Sequence, residues 1–156
     1  MITSRKCYWK DIEIGRVFKM GSVSLEAAEI RAFAASFDPQ PYHLDRDLAK
    51  SSIFGGLCAS GWHVCALMMK LVSDCLDADR IPLLGSDQVP WLIWYSPVFE
   101  GDSISGDITI TDKKIPGKVT DFGIITCDIV INNQINKKVM ALTTNLMIEI
   151  GGQKDV

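Results

Sequence analysis

The sequence predicts a single α+β domain in which an antiparallel meander curls around one long apolar helix. Three observations carry that prediction. Between residues 53 and 72 the chain is almost wholly apolar or small, with Ser60, His63 and Lys70 the only polar residues in it and Ser51 and Ser52 just before it. A helix that is apolar all round has to be wrapped on most sides. Four later runs, 91–98, 103–111, 119–131 and 137–150, are rich in Ile, Val, Thr and aromatic residues and are separated by turn residues. Helical pattern first and strand pattern after is the order of an α+β domain. At 156 residues the chain is about one domain long against a prior of roughly 150 residues. Its 47% hydrophobic content suffices for a core. We expect one domain over residues 1–150 and a loose tail over 151–156.

In order, Tyr8-Trp9 and a Gly15 turn lead into a short strand over 16–23. Ser24 is placed to cap a helix, with Glu26 in its first turn where a negative charge suits the dipole. Ile30, Phe33, Ala34 and Phe37 then recur at helical spacing, so one face is apolar up to Asp38. Pro39 and Pro41 fix their own φ, lack N–H groups and push Asp38 and Gln40 toward extended backbone. The segment 37–45 is therefore expected to be a stiff loop, with no regular helix. Asp45 can cap a short turn through Leu48 and Ala49. The central helix is expected over about 61–76, a usual length for a core helix. In the strands, Ile104, Ile108 and Ile110 alternate with Ser105, Asp107 and Thr109, and Cys127, Ile129 and Ile131 with Asp128 and Val130, so one face is more apolar.

The loop and the helix mouth together suggest chemistry. A carboxylate, Asp38, and an imidazole, His43, stand on one rigid segment, and an imidazole ordinarily exchanges its proton near neutrality. The two can divide the activation of one water. Gly55-Gly56 and Ser60-Gly61 bring side-chain-free backbone to the start of the apolar helix, where free N–H groups and the positive end of the dipole can hold an oxyanion.

The run Asp38-Pro39-Gln40-Pro41-Tyr42-His43-Leu44-Asp45, followed by Ala49, Phe54-Gly55-Gly56-Leu57 and Ser60-Gly61, resembles the hydratase 2 motif of MaoC-like dehydratases and (R)-specific enoyl-CoA hydratases. Pro97-Val98 and Gly101-Asp102 resemble that family's second signature, expected on the strand pair after the central helix. The resemblance implies a hot-dog fold, an antiparallel sheet around a long central helix, and reversible syn addition of water to a trans-2-enoyl-CoA, giving a (3R)-3-hydroxyacyl-CoA. It implies Asp38 and His43 as the catalytic pair, Gln40 and Ser60 as water- and substrate-positioning residues, and Gly61 as the oxyanion donor. It also implies a homodimer or higher homo-oligomer and no cofactor. Two positions depart from the family pattern: Gln40 stands where Asn is usual, and Ser60 where a His commonly precedes the oxyanion glycine. Both bear on substrate choice more than on reaction type.

Other readings of the same residues differ in class. A hot-dog thioesterase would direct water at the carbonyl carbon, which the Asp-to-His spacing disfavours, and a non-catalytic acyl-thioester-binding subunit would keep the pocket without turnover. Asp38 can also simply bond the turn N–H groups that follow it. His63 is assigned a structural role, Tyr42 a packing role, and Trp91 and Trp94 either core packing, a dimer interface or the wall of an acyl tunnel. A net charge of −3 and the lack of a long basic stripe argue against a nucleic-acid partner. The small basic clusters Arg46 with Lys50, Lys113-Lys114 with Lys118, and Lys137-Lys138 read for the most part as solvated loop lysines, although a CoA phosphate would need one such cluster. A membrane span needs about 20 apolar residues, and the glycines, His63 and Lys70 interrupt this one. Five cysteines without CxxC spacing, and only two histidines, point to small core residues in a reducing, cytoplasmic setting rather than to a disulfide frame or a metal site.

Overall fold

The computed structural model describes residues 6–118 and 121–151. After a 3-10 turn at Trp9–Asp11 come strand β1 (Val17–Ser24), helices α1 (Ala27–Phe37), α2 (Pro41–Leu44), α3 (Arg46–Lys50) and α4 (Gly61–Ala78), then strands β2 (Leu83–Trp94), β3 (Ser103–Lys114), β4 (Phe122–Asn133) and β5 (Lys138–Glu149). The strands form one antiparallel sheet in the order β1-β3-β4-β5-β2. This is the expected α+β arrangement, and α4 packs on it against β1, β2 and β3.

The core follows from the two periodicities. In β3, Ile104, Ile108 and Ile110 are buried, and in β4 so are Cys127, Ile129 and Ile131, while the residues between them face the less apolar side. Against that surface α4 buries Val64, Met68, Leu71, Val72 and Leu76, its i, i+4, i+7 stripe. Each such side chain contributes roughly 1.5–3 kcal/mol relative to exposure. Within one chain α4 is not wrapped all round. Trp62, Ala66, Lys70 and Ser73 stay exposed on its opposite face.

Several sequence expectations are corrected. Ser24 closes β1 instead of capping α1. The cap is Glu26, whose N–H donates to the Glu29 side chain in the first turn. The apolar face of α1 buries Ile30 and Ala34, but Phe37 is 74% exposed. The segment 37–45 is not free of helix: α2 is a single turn with Pro41 in its first position, where no N–H is needed. Asp45 caps α3 as expected, accepting from the N–H groups of Asp47 and Leu48. Strand β2 begins at Leu83, well before the expected 91, and tolerates Pro90 because it lies on the edge of the sheet. Residues 119–120, at the start of one expected strand, and 152–156 of the expected tail lie outside the described residues.

Candidate active site

The α1 helix cannot run past Asp38, because Pro39 and Pro41 follow. Asp38 is its C-cap, with its N–H on the Ala34 carbonyl. The chain then turns tightly: the Gln40 N–H meets the Asp38 carbonyl at 2.7 Å, and the His43 N–H meets the Gln40 carbonyl at 3.0 Å. That turn brings His43 Nε2 to 3.4 Å from Asp38 Oδ2. Asp38 is partly open to solvent and His43 is buried.

The other side of the imidazole is fixed from a distant segment. His43 Nδ1 lies 2.7 Å from the Cys58 carbonyl oxygen. A carbonyl only accepts, so Nδ1 carries the proton and, in the neutral ring, Nε2 presents its lone pair toward Asp38 and the cavity. Cys58 is held in turn by the segment carrying the second signature. It bridges Phe99, the Ala59 N–H bonds the Val98 carbonyl, and the Glu100 N–H bonds the Leu57 carbonyl. That signature lies in the connection between β2 and β3, not on a strand pair. Its Gly101 takes φ +82, and the Asp102 carboxylate closes the turn on the Phe99 N–H. Arg46 forks onto Glu100 with contacts of 2.6–3.0 Å, tying α3 to the same segment and holding the Glu100 carboxyl below the usual carboxylate range.

Ser60 joins the loop to the helix. Fully buried, it donates from Oγ to Asp38 Oδ2 at 2.7 Å and accepts from the Trp62 N–H at 3.3 Å, capping α4. The next residue, Gly61, is the first of the helix, and among the described residues no protein acceptor takes its N–H. A cavity of about 390 Å³ lies in front, bounded by Asp38, His43 and Gly61 on its polar side and by Tyr42, Phe54, Val64, Trp94 and Val98 among its apolar walls. The arrangement combines an acid/base pair able to hold a water with a backbone donor at the positive end of a helix.

A family model described as the MaoC like domain matches residues 11–128. The chain belongs to the MaoC-like domain family. It is 29% identical over 140 residues to the uncharacterized protein YdeM of Bacillus subtilis, covering 89% of this chain and 96% of that one. The crystal structure of a MaoC-like dehydratase from Rhodospirillum rubrum superposes with a TM-score of 0.80 at 34% identity, over 93% of this chain and 98% of that one. An (R)-hydratase from A. caviae, involved in PHA biosynthesis, superposes with a TM-score of 0.67 at 26% identity, over 88% and 97% of the two chains. The five-stranded sheet with α4 is accordingly a hot-dog fold.

In this MaoC-like site four of the five sequence-derived residues, Asp38, His43, Ser60 and Gly61, come together. Gln40 does not join them. It is exposed, its side chain makes no hydrogen bond among the described residues, and it is not part of the cavity wall. Gly55 and Gly56 also stand apart from the cavity: Gly55 closes a turn at φ +73, and Gly56 faces the Phe99 ring. His63 is buried and stacked on Phe33 at 4.6 Å, but its Nδ1 has no partner, so it is not the satisfied structural histidine expected. Burial lowers its pKa. Sequence reasoning missed the Cys58 carbonyl, a main-chain group that no side-chain pattern announces. Of the basic clusters, Arg46 is committed to Glu100 and Lys113 to the Ile12 carbonyl, whereas Lys138 sits over the ring of Tyr95, which lines the cavity. Among the described residues no three His, Cys, Asp or Glu side chains cluster as a metal site would require, and no helix is long and apolar enough to cross a membrane.

Proposed function

We propose that this MaoC-like protein is a hydro-lyase that adds water reversibly to a trans-2-enoyl-CoA, giving a (3R)-3-hydroxyacyl-CoA. The observation that carries the reading is the shared polar wall of one cavity: the Asp38–His43 pair beside an unshared helix N–H at Gly61. The likeness to the A. caviae (R)-hydratase supports it.

In this reading the thioester oxygen rests on the Gly61 N–H, which draws electron density from C3. Ser60 takes up one lone pair of Asp38 Oδ2, so Oδ1 and His43 Nε2 are the acceptors left for a water. The water oxygen bonds to C3, and the negative charge that develops on the thioester oxygen is held by the Gly61 N–H and the helix dipole. The proton released by the water passes through the Asp38–His43 pair to C2 on the same face, so both residues end as they began. Dehydration runs the same steps backwards. The reading includes a homodimer, in which a second copy covers the exposed apolar residues of β2, and a cytoplasmic location, which five free thiols favour.

The test is the absorbance of the conjugated enoyl-thioester with crotonyl-CoA and longer or branched enoyl-CoAs, with a thiol reagent in parallel. We expect the band to disappear without thiol release, and Asp38→Asn to lower kcat by about 10²–10⁴-fold with the fold retained. Thiol release would indicate a thioesterase. Ligand-dependent melting without turnover would indicate a binding subunit.

A further inference from the structure

Two peptide units flank Gly61 and together present four polar groups. The Ser60 carbonyl accepts from the Val64 N–H at 3.1 Å. The Trp62 N–H donates to Ser60 Oγ. The Gly61 carbonyl accepts from the indole Nε1–H of Trp94 at 3.0 Å. Only the Gly61 N–H is left without a protein partner. A glycine at the start of a helix has more backbone freedom than any other residue, so an oxyanion donor placed there needs outside restraint to hold its direction.

Trp94 supplies such restraint in two ways. Its ring lies across the Cα of Gly61, where a Cβ would come within 2.7 Å of Cε2 and 2.8 Å of Nε1, so glycine is the residue that fits beneath it. Its own orientation is set by Trp62, edge-on at 5.1 Å between ring centroids, and by the pairing of Trp94 with Met140 at the end of β2. The indole thus links the sheet edge to the first peptide of α4, and it also walls the cavity.

We propose that Trp94 is a positioning residue for the oxyanion donor: its indole N–H locks the Gly61 carbonyl and its ring covers the glycine, fixing the Gly61 N–H toward the thioester oxygen. This rests on the hydratase reading above. The consequence is that removing the indole N–H weakens carbonyl polarisation while leaving the acid/base pair in place.

The experiment compares wild type with Trp94→Phe and with a variant carrying 3-benzothienylalanine at position 94, which keeps the bicyclic shape and replaces N–H by sulfur. Bound 2,4-hexadienoyl-CoA reports polarisation by the red shift of its absorption, and crotonyl-CoA reports kcat and KM. We expect both variants to lose part of the red shift and about five- to tenfold in kcat, with KM changed by less than about threefold. The melting temperature of the benzothienyl variant should stay close to that of wild type. A red shift and kcat equal to wild type in the benzothienyl variant would overturn the role of Trp94 alone. Absence of both turnover and red shift in wild type would remove the hydratase reading, and the role of Trp94 with it. If Trp94→Phe fails to fold, the benzothienyl variant decides.

Discussion

His43 is directed by a main-chain carbonyl fifteen residues away in sequence, and that contact decides which nitrogen can work as a base. Cys58 directs the ring through its backbone, and its thiol, 3.8 Å from the same Nδ1, is pushed up to about 11 by burial and stays protonated near neutrality. Ser60 has the opposite character, since its hydroxyl serves two purposes at once. It caps α4 and holds Asp38 Oδ2. Ser60→Ala should therefore cost about 0.5–2 kcal/mol of stability through the lost cap. It should also lower kcat by about tenfold through the freed carboxylate. Ser60→Thr, which keeps the oxygen, should restore most of both. Denaturant melts and steady-state kinetics on the same preparations check this, and a kcat unchanged in Ser60→Ala would remove Ser60 from the positioning of Asp38. The closeness of Asp38 and His43 was legible in the sequence because two prolines allow few conformations between them. Gln40 stands apart from them for a physical reason as well. A residue between the two prolines adopts extended backbone, which turns its side chain away from the neighbours it would have to join.

Between elements, the junction of α1 and α4 is the informative one. Asp38 leaves the end of α1, Ser60 and Gly61 begin α4, and the two helices meet where His63 stacks on Phe33. His63 is buried with Nδ1 unpaired, and desolvation lowers its pKa below the usual 6.5, opposed only in part by Glu29. The unfolded chain then takes up a proton more readily than the folded one. The stability His63 contributes is present above about pH 6.5 and is lost as pH falls from there through the lowered folded value. Melting temperatures measured between pH 7.5 and 5 should show this loss, and His63→Phe should flatten that part of the curve. An unchanged slope in the variant would assign the loss to other groups. The α4 helix itself was read correctly because its cap, its glycine and its apolar stripe all agree. The start of β2 was missed because Gly85 and Pro90 interrupt any alternation, and its register against β5 shifts three times between Leu83 and Trp91. Such a strand is specified by its partner more than by its own residues.

For the whole molecule, the edge strand is the feature that bears on the proposed dimer. Val89, Trp91, Ile93 and Trp94 are exposed along β2 in the single chain, as is Tyr95 just after it, and Trp62 nearby on α4 is 62% exposed. An open, aromatic-rich edge invites pairing with another chain. Light scattering at micromolar concentration should give twice the chain mass, and Ile93→Lys should shift it toward the single chain. A monomer in wild type would contradict the dimer. The strand order has one more consequence, which concerns the sequence of assembly. The strands β3, β4 and β5 are consecutive in the chain and neighbours in the sheet, so short loops close them. Asp38 and His43 meet across a short turn, but the contacts that tie them to α4 and the sheet edge span longer loops: Asp38 to Ser60, His43 to Cys58 and Gly61 to Trp94. Loop-closure entropy grows with the length closed, and pairings distant in sequence form slowly. In kinetic terms the β3–β4–β5 meander should close before these contacts form, the indole contact to Gly61 among them.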